Sequence, residues 1–160
     1  MADLKAAAAG LGWGGLRTHL ASGNLVFEPP AGEGAELPAL ARALEAPLGA
    51  RLGAPVPVLV LDAPTFAARL ASCPFSPVEG KHVHGMLLFG PVTVDADRLA
   101  ALRAPSEDLA LADGVAWLHT PEGFGRSKLA EKLPTVIRGA PYTGRNLNTL
   151  RALAGLLGVG

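Results

Sequence analysis

The chain has 160 residues, with 14 Lys plus Arg against 14 Asp plus Glu, and therefore a formal net charge of zero. Hydrophobic residues make up 49% and charged residues 18%, which excludes wholesale disorder because disordered chains combine low hydrophobicity with a large net charge. No apolar run reaches the roughly 20 residues of a membrane-spanning helix. The single cysteine, Cys73, excludes an internal disulfide framework and indicates a reducing, cytoplasmic setting.

The first third of the chain predicts helices on either side of a hairpin. Gly23 and Asn24 tolerate the positive φ of a tight turn, and Pro47 is expected to end or kink the second helix. The predicted elements are a helix over 3–9, strands over 16–21 and 25–28, and a helix over 36–45.

The middle of the chain predicts strands and helices in alternation. Val56–Leu61 is an apolar run, and Pro57 places it at a sheet edge because proline cannot donate a ladder hydrogen bond. Asp62 and Asp95 are N-caps for helices over 62–71 and 95–102, on either side of a strand over 82–89.

The clearest hairpin is centred on Asp113-Gly114, because an Asp-Gly pair between apolar runs suits a type I′ turn. Two helices, over 127–133 and 147–157, then close the chain. Hairpins that alternate with helices predict an α+β fold with antiparallel sheets rather than a doubly wound parallel sheet. We expect two halves, residues 1–62 and 63–160.

Four blocks of the sequence, in this order and spacing, resemble the domain of unknown function 1697 (DUF1697) family. The resemblance implies two ferredoxin-like (alpha-beta plait) halves and no established activity. The blocks are RTHLASGNLVF at 17–27, CPF at 73–75, PEGFGRSKL at 121–129 and TGRNLNT at 143–149.

The resemblance also implies a departure at the front, since members of the family begin earlier, with a hydrophobic strand and a glycine-rich loop. In a ferredoxin-like half the first strand is central, so the first half is expected to lack it and Val56–Leu61 to lack a partner. We expect that Met1 is an internal residue of the native product. The alternative is a true truncation whose open edge a partner chain covers.

The neutral net charge conceals a polarised chain. Residues 123–160 hold six basic residues and one acidic residue, a net of plus five, and residues 1–122 hold eight against thirteen, a net of minus five. Two blocks in the basic segment combine glycine, arginine and a predicted helix start, a pattern that favours phosphate or carboxylate binding. The predicted anion donors are Arg126, Ser127, Lys128, Arg145, Asn146 and Asn148. In the alternative, Ser127 and Asn146 are ordinary caps and the arginines pair with surface carboxylates.

Other chemistry-bearing residues give weaker signals. Ser22 and Asn24 are candidate ligand contacts at a sheet end, or turn residues chosen for backbone freedom. His82, His84 and His119 could approach one another, but no carboxylate or cysteine stands at a ligand-like spacing, so neither a metal nor a cofactor is predicted.

Three functions stay open at this level, and the oligomeric state and any catalysis stay open with them. The first is a cytoplasmic protein that binds a phosphate-bearing ligand or nucleic acid on the basic carboxy-terminal face, without contact with a membrane. The second is an enzyme acting on a small anionic metabolite in the crevice between the halves. The third is an interaction module that assembles through an exposed sheet edge.

Overall fold

The computed structural model describes residues 2–19, 23–29 and 36–159. The chain forms two compact units, one of residues 1–66 together with 152–160 and one of residues 67–151. Helices combine with antiparallel sheets, which confirms the predicted α+β class. Within the described ranges, no helix is both long enough and apolar enough to cross a bilayer.

The first unit packs two helices against a hairpin. Strands β1 and β2 pair antiparallel, with Arg17 opposite Val26, so the hairpin is confirmed where it is described, although its turn residues 20–22 lie outside the described part. The core of this unit joins Trp13, which stacks on Phe27 at 4.3 Å between ring centroids, to alanines of α1 and leucines of α2. The elements are α1 (Ala2–Gly10), β1 (Gly14–Thr18), β2 (Leu25–Glu28) and α2 (Leu37–Leu52).

The expectation that Pro47 ends or kinks the second helix at about residue 45 is wrong in its boundary. Helix α2 continues through Pro47 to Leu52 and ends where Gly53 adopts a left-handed φ of 72°. Proline removes one amide donor, but Leu44 and Leu48 on either side of it are both buried in the core. Burial of these two side chains offsets the lost hydrogen bond, each contributing about 1.5–3 kcal/mol.

The predicted strand over Val56–Leu61 is also wrong. These residues form no strand, although Val56, Val58 and Val60 pack against the first unit's core with the alternation of a strand. The Val58 amide donates instead to Glu45 Oε1 at 3.0 Å. A strand needs a neighbouring backbone to complete its ladder, and no strand pairs with this segment in the described part of the chain.

The second unit is built on one antiparallel sheet of four strands in the order β5-β6-β3-β8. This order and the antiparallel pairing match a ferredoxin-like plait, in which β3 and β6 are interior and β5 and β8 form the edges. A separate pair, β4 with β7, lies outside that sheet. The strands are β3 (Val83–Leu88), β4 (Val92–Val94), β5 (Asp108–Ala112), β6 (Val115–His119), β7 (Ile137–Gly139) and β8 (Tyr142–Asn146).

Helices complete the fold around these strands, and most of their boundaries follow the sequence. Asp95 caps α4 by accepting a hydrogen bond from the Arg98 amide at 3.0 Å, as predicted. The helix expected over 127–133 instead divides in two, and Pro134 lies in the first turn of the second piece. The helices are α3 (Ala63–Ala71), α4 (Ala96–Leu102), α5 (Lys128–Glu131), α6 (Leu133–Val136) and α7 (Leu147–Leu157).

Local turn chemistry made the hairpin at Asp113-Gly114 predictable, whereas no such local signal marked strand β8. Asp113 and Gly114 both have positive φ, 44° and 73°, as a type I′ turn requires. Strand β8 was not predicted, because Gly144 and neighbouring polar residues do not alternate. A Cβ at Gly144 would lie 2.8 Å from Met86 Sδ, so a larger residue there would displace the methionine side chain.

The two faces of the four-stranded sheet bury different sets of side chains. On one face, Met86 and Leu118 join a core with residues of α5 and α6. On the other face, Trp117 and Leu150 crowd Gly85, where a Cβ would come within 2.9 Å of the indole and 3.0 Å of the leucine. Gly85 therefore allows the sheet and α7 to pack closely.

Substitution of this glycine is expected to test that packing. We expect Gly85→Ala to lower the free energy of unfolding by about 1–3 kcal/mol, because the added methyl overpacks the contact with Trp117 and Leu150. The control is Gly155→Ala in α7, where a Cβ meets nothing within 4 Å and helix propensity favours alanine. Urea unfolding curves measure both, and equal stability of the two variants would contradict the prediction.

Candidate functional site

The first predicted anion block, Gly125-Arg126-Ser127-Lys128, forms a tight turn that leads into α5. Gly123 has a φ of 103° and opens a single 3₁₀ turn over Phe124–Arg126. The Ser127 hydroxyl is buried and accepts a hydrogen bond from the Ala130 amide at 2.9 Å. Ser127 is therefore a helix cap, and the outward-facing chemistry of this block comes from the two side chains that flank it.

Those two flanking cations differ from other basic residues of the same segment. Arg126 and Lys128 are exposed, and neither has an ion-pair partner in the part of the chain that the structure describes. By contrast, Lys132 Nζ lies 2.8 Å from a Glu131 carboxylate oxygen, and Arg138 Nη2 lies 3.1 Å from an Asp95 carboxylate oxygen. The alternative in which the arginine of this block pairs with a surface carboxylate therefore does not fit Arg126 within the described residues.

The second predicted block lies at the end of β8 and is held by its own strand. Arg145 Nη1 donates to Thr143 Oγ1 at 2.8 Å and to the Gly144 carbonyl at 2.7 Å. Burial lowers the pKa of this guanidinium from its ordinary value, since desolvation disfavours the charged form. Asn146 caps α7, because its Oδ1 accepts from the Thr149 amide at 2.9 Å. Asn148 is exposed in the first turn of α7, close to Gly80.

The sheet register places Arg145 and Asn146 of the second block on opposite faces of the sheet. Arg145 stands opposite Gly85 in the β3–β8 ladder, so its side chain shares the face of Gly85. Phe124 contacts His84, whose side chain is on the other face. Phe124 and Asn146 thus lie near His84 on one face, whereas Arg145 belongs to the opposite face.

The remaining candidates occupy separate places. Ser22 lies outside the described residues, and Asn24 is buried, with its amide nitrogen donating to the His19 carbonyl at 3.0 Å. His119 stacks on Phe75 at 5.3 Å between ring centroids, on the face opposite to His84. Within the described ranges, no group of three or more His, Cys, Asp or Glu residues is arranged to hold a metal ion.

His84 has the most perturbed environment near the first block. Its ring centroid lies 4.1 Å from that of Phe124, and its Nδ1 is buried without a hydrogen-bond partner in the described part. Burial lowers its pKa to about 4 from the ordinary 6.5, so the imidazole is neutral at physiological pH. The sequence analysis considered His84 only as a metal ligand and did not assign Phe124 to a site. The alternation of β3, which puts His84 on the face of Met86, was the available signal.

Comparison with known proteins bears on the family alone. The family model described as "Protein of unknown function (DUF1697)" matches residues 1–117, which is most of the chain. The chain belongs to this family. The match confirms the resemblance inferred from the sequence, but it ends before the blocks around Arg126 and Arg145, so it does not bear on the candidate site. No curated protein and no solved structure matches the chain.

The pKa of His84 predicts how the stability of this family member depends on pH. The folded state holds this pKa at about 4 and the unfolded chain at about 6.5, so between these values the unfolded state binds more protons. We therefore expect the free energy of unfolding to decrease as pH falls from 6.5 towards 4. Over that window, His84→Gln is expected to show a flatter dependence in urea unfolding. Parallel curves for the two proteins would contradict the prediction.

Proposed function

We propose that this protein binds a phosphate-bearing ligand through Arg126 and Lys128, in a cytoplasmic setting. The observation that carries the proposal is that both cations are exposed beside a fixed turn and neither forms a salt bridge in the described part of the chain, although Lys128 acts on the Glu131 carboxylate at longer range. An unpaired guanidinium and ammonium separated by one residue can hold one phosphate with charge-assisted hydrogen bonds, which are stronger than neutral ones.

The geometry around these cations favours a defined site over a diffuse basic surface. Ser127 between them is fixed by its buried capping bond, so the backbone that carries both cations is held in place. Helix α5 has only four residues, so the side chains, rather than a helix dipole, supply the positive charge. Two other cations of the segment, Lys132 and Arg138, form salt bridges with Glu131 and Asp95, whereas Arg126 and Lys128 form none in the described residues.

A pair of double variants tests the proposal with the charge change held constant. We expect Arg126→Ala/Lys128→Ala to weaken saturable binding of inorganic phosphate at least tenfold, because each lost charge-assisted hydrogen bond contributes about 1.5–3 kcal/mol. The matched control, Lys132→Ala/Arg138→Ala, removes the same two charges from paired positions. It is expected to keep the affinity within about twofold, as the removed cations were already compensated. Isothermal titration calorimetry measures both.

The same variants show whether nucleic acid is a ligand. For a single-stranded oligonucleotide, the logarithm of the affinity should fall linearly with the logarithm of the salt concentration, and the site variant should flatten that slope by about 1.4 for its two lost charges. An oligonucleotide affinity that does not depend on salt concentration would exclude nucleic acid as a ligand. Absence of phosphate binding, or equal losses in the two double variants, would contradict the proposed site itself.

A second candidate function, assembly through an open backbone edge, is favoured by a separate observation. Val56–Leu61 packs three valines on the first unit's core, yet its backbone pairs with no strand in the described residues. Unpaired amide and carbonyl groups in such a segment are a template for pairing with another chain. In this candidate function, the segment pairs with the same segment of a second copy.

Blocking one amide of that segment tests the assembly. We expect the protein to dimerise with increasing concentration in sedimentation velocity, and Leu59→Pro to weaken the dimer because proline cannot donate to an intermolecular ladder. Leu59→Ala is the control, since it shortens the side chain but keeps the amide. A monomer at every concentration, or equal dimerisation of both variants, would contradict this candidate function.

A further inference from the structure

The turn that carries Arg126 also presents an aromatic surface. Phe124 begins the same 3₁₀ turn and is only partly buried, with its ring 4.1 Å from that of His84 between centroids and inclined at 34°. The glycines on either side of it, Gly123 and Gly125, have open space where a Cβ would be. No side chain of these two neighbours therefore covers Phe124, which also packs in part against the core of this unit.

The polar groups near the Phe124 ring are suited to hydrogen bonds with an uncharged part of a ligand. His84 Nδ1 is buried and has no hydrogen-bond partner in the described residues. Its Nε2 is not among the buried atoms that lack a partner. Because burial lowers its pKa to about 4, His84 offers a neutral ring nitrogen rather than a third cation. Asn146 stands opposite His84 in the ladder, and its Oδ1 is used by the Thr149 amide. Its amide nitrogen remains as a donor on the same face.

The charged groups and the neutral groups of the proposed site thus occupy different positions. Arg126 and Lys128 supply the positive charge. The aromatic group, Phe124, lies two residues before Arg126, and the amide group, Asn146, lies on β8. A ligand that carries only phosphate would use the first set and leave the second set unused. A ligand with a planar, hydrogen-bonding ring joined to its phosphate would engage both.

We propose that the ligand is a nucleotide, with its phosphate at Arg126 and Lys128 and its base stacked on Phe124 beside His84 and Asn146. This inference rests on the proposed phosphate binding and adds the class of ligand. Bases stack favourably on aromatic side chains with little dependence on sequence, because every base has a π face. The base edge then forms hydrogen bonds with the histidine and the asparagine amide.

Four probes separate the ring from the phosphate in isothermal titration calorimetry: inorganic phosphate, ribose 5-phosphate, adenosine 5′-monophosphate (AMP) and adenosine. We expect AMP to bind at least tenfold more tightly than ribose 5-phosphate, the difference being the stacked base. Phe124→Leu, which keeps an apolar side chain in the core, should reduce this ratio to below about threefold. Phe124→Tyr, which keeps the ring, should preserve the ratio.

The wild-type protein provides a readout that does not depend on the folding of any variant. Stacking on Phe124 should move the base-proton NMR signals of AMP upfield as protein is added, and ribose protons should move less. Equal affinities for AMP and ribose 5-phosphate, or no upfield displacement, would overturn the nucleotide assignment and leave phosphate binding intact. Failure of all three phosphate-bearing probes to bind would overturn the proposed function as well.

Discussion

The central position of β3 is the constraint on which the second unit depends. Val83–Leu88 pairs with β6 along one edge and with β8 along the other, so its backbone groups are satisfied only when both neighbours are in register. Both of its faces are also covered, by α5 and α6 on one side and by Trp117 and Leu150 on the other. Small residues accommodate this density, with Gly85 and Gly144 giving room to the indole and to Met86.

The same register determines what each Gly-Arg block becomes. Arg145 projects from an edge strand onto the face of Gly85, where burial and hydrogen bonds to its own strand turn it into a structural group. Arg126 lies outside the sheet, in the 3₁₀ turn that begins at Phe124, and its side chain is exposed. Two blocks of similar composition thus acquire different surroundings, because one ends a strand of the sheet and the other forms a turn outside it. The proposed phosphate site accordingly uses Arg126 and Lys128 of the first block, and of the second block only Asn146, which shares the face of His84, takes part in the proposed ligand site.

How much of the fold could be predicted depended on how local each cause was. Asp113-Gly114 and the Asp95 cap were predictable because a turn or a cap is decided within four residues. The prediction at Pro47 was wrong because the local cost of proline is outweighed by the burial of leucines on α2. The strand predicted over Val56–Leu61 was wrong because alternating apolar residues show which face is buried but do not provide a neighbouring strand. Of the candidate site, the sequence identified Arg126, Ser127 and Lys128, yet it gave no reason to associate Phe124 with His84, 40 residues earlier in the chain.

By itself the sequence determined the α+β class, the family, the division into an acidic body and a basic carboxy-terminal segment, and the local turns. These properties depend on composition or on a few neighbouring residues. Tertiary structure decided which charges remain available. Arg138 is neutralised by Asp95, 43 positions away, whereas Arg126 finds no such partner in the described residues. Ion pairs, strand pairings and contacts on a sheet face involve residues that are distant in the chain. Only the folded backbone brings such residues within interaction distance.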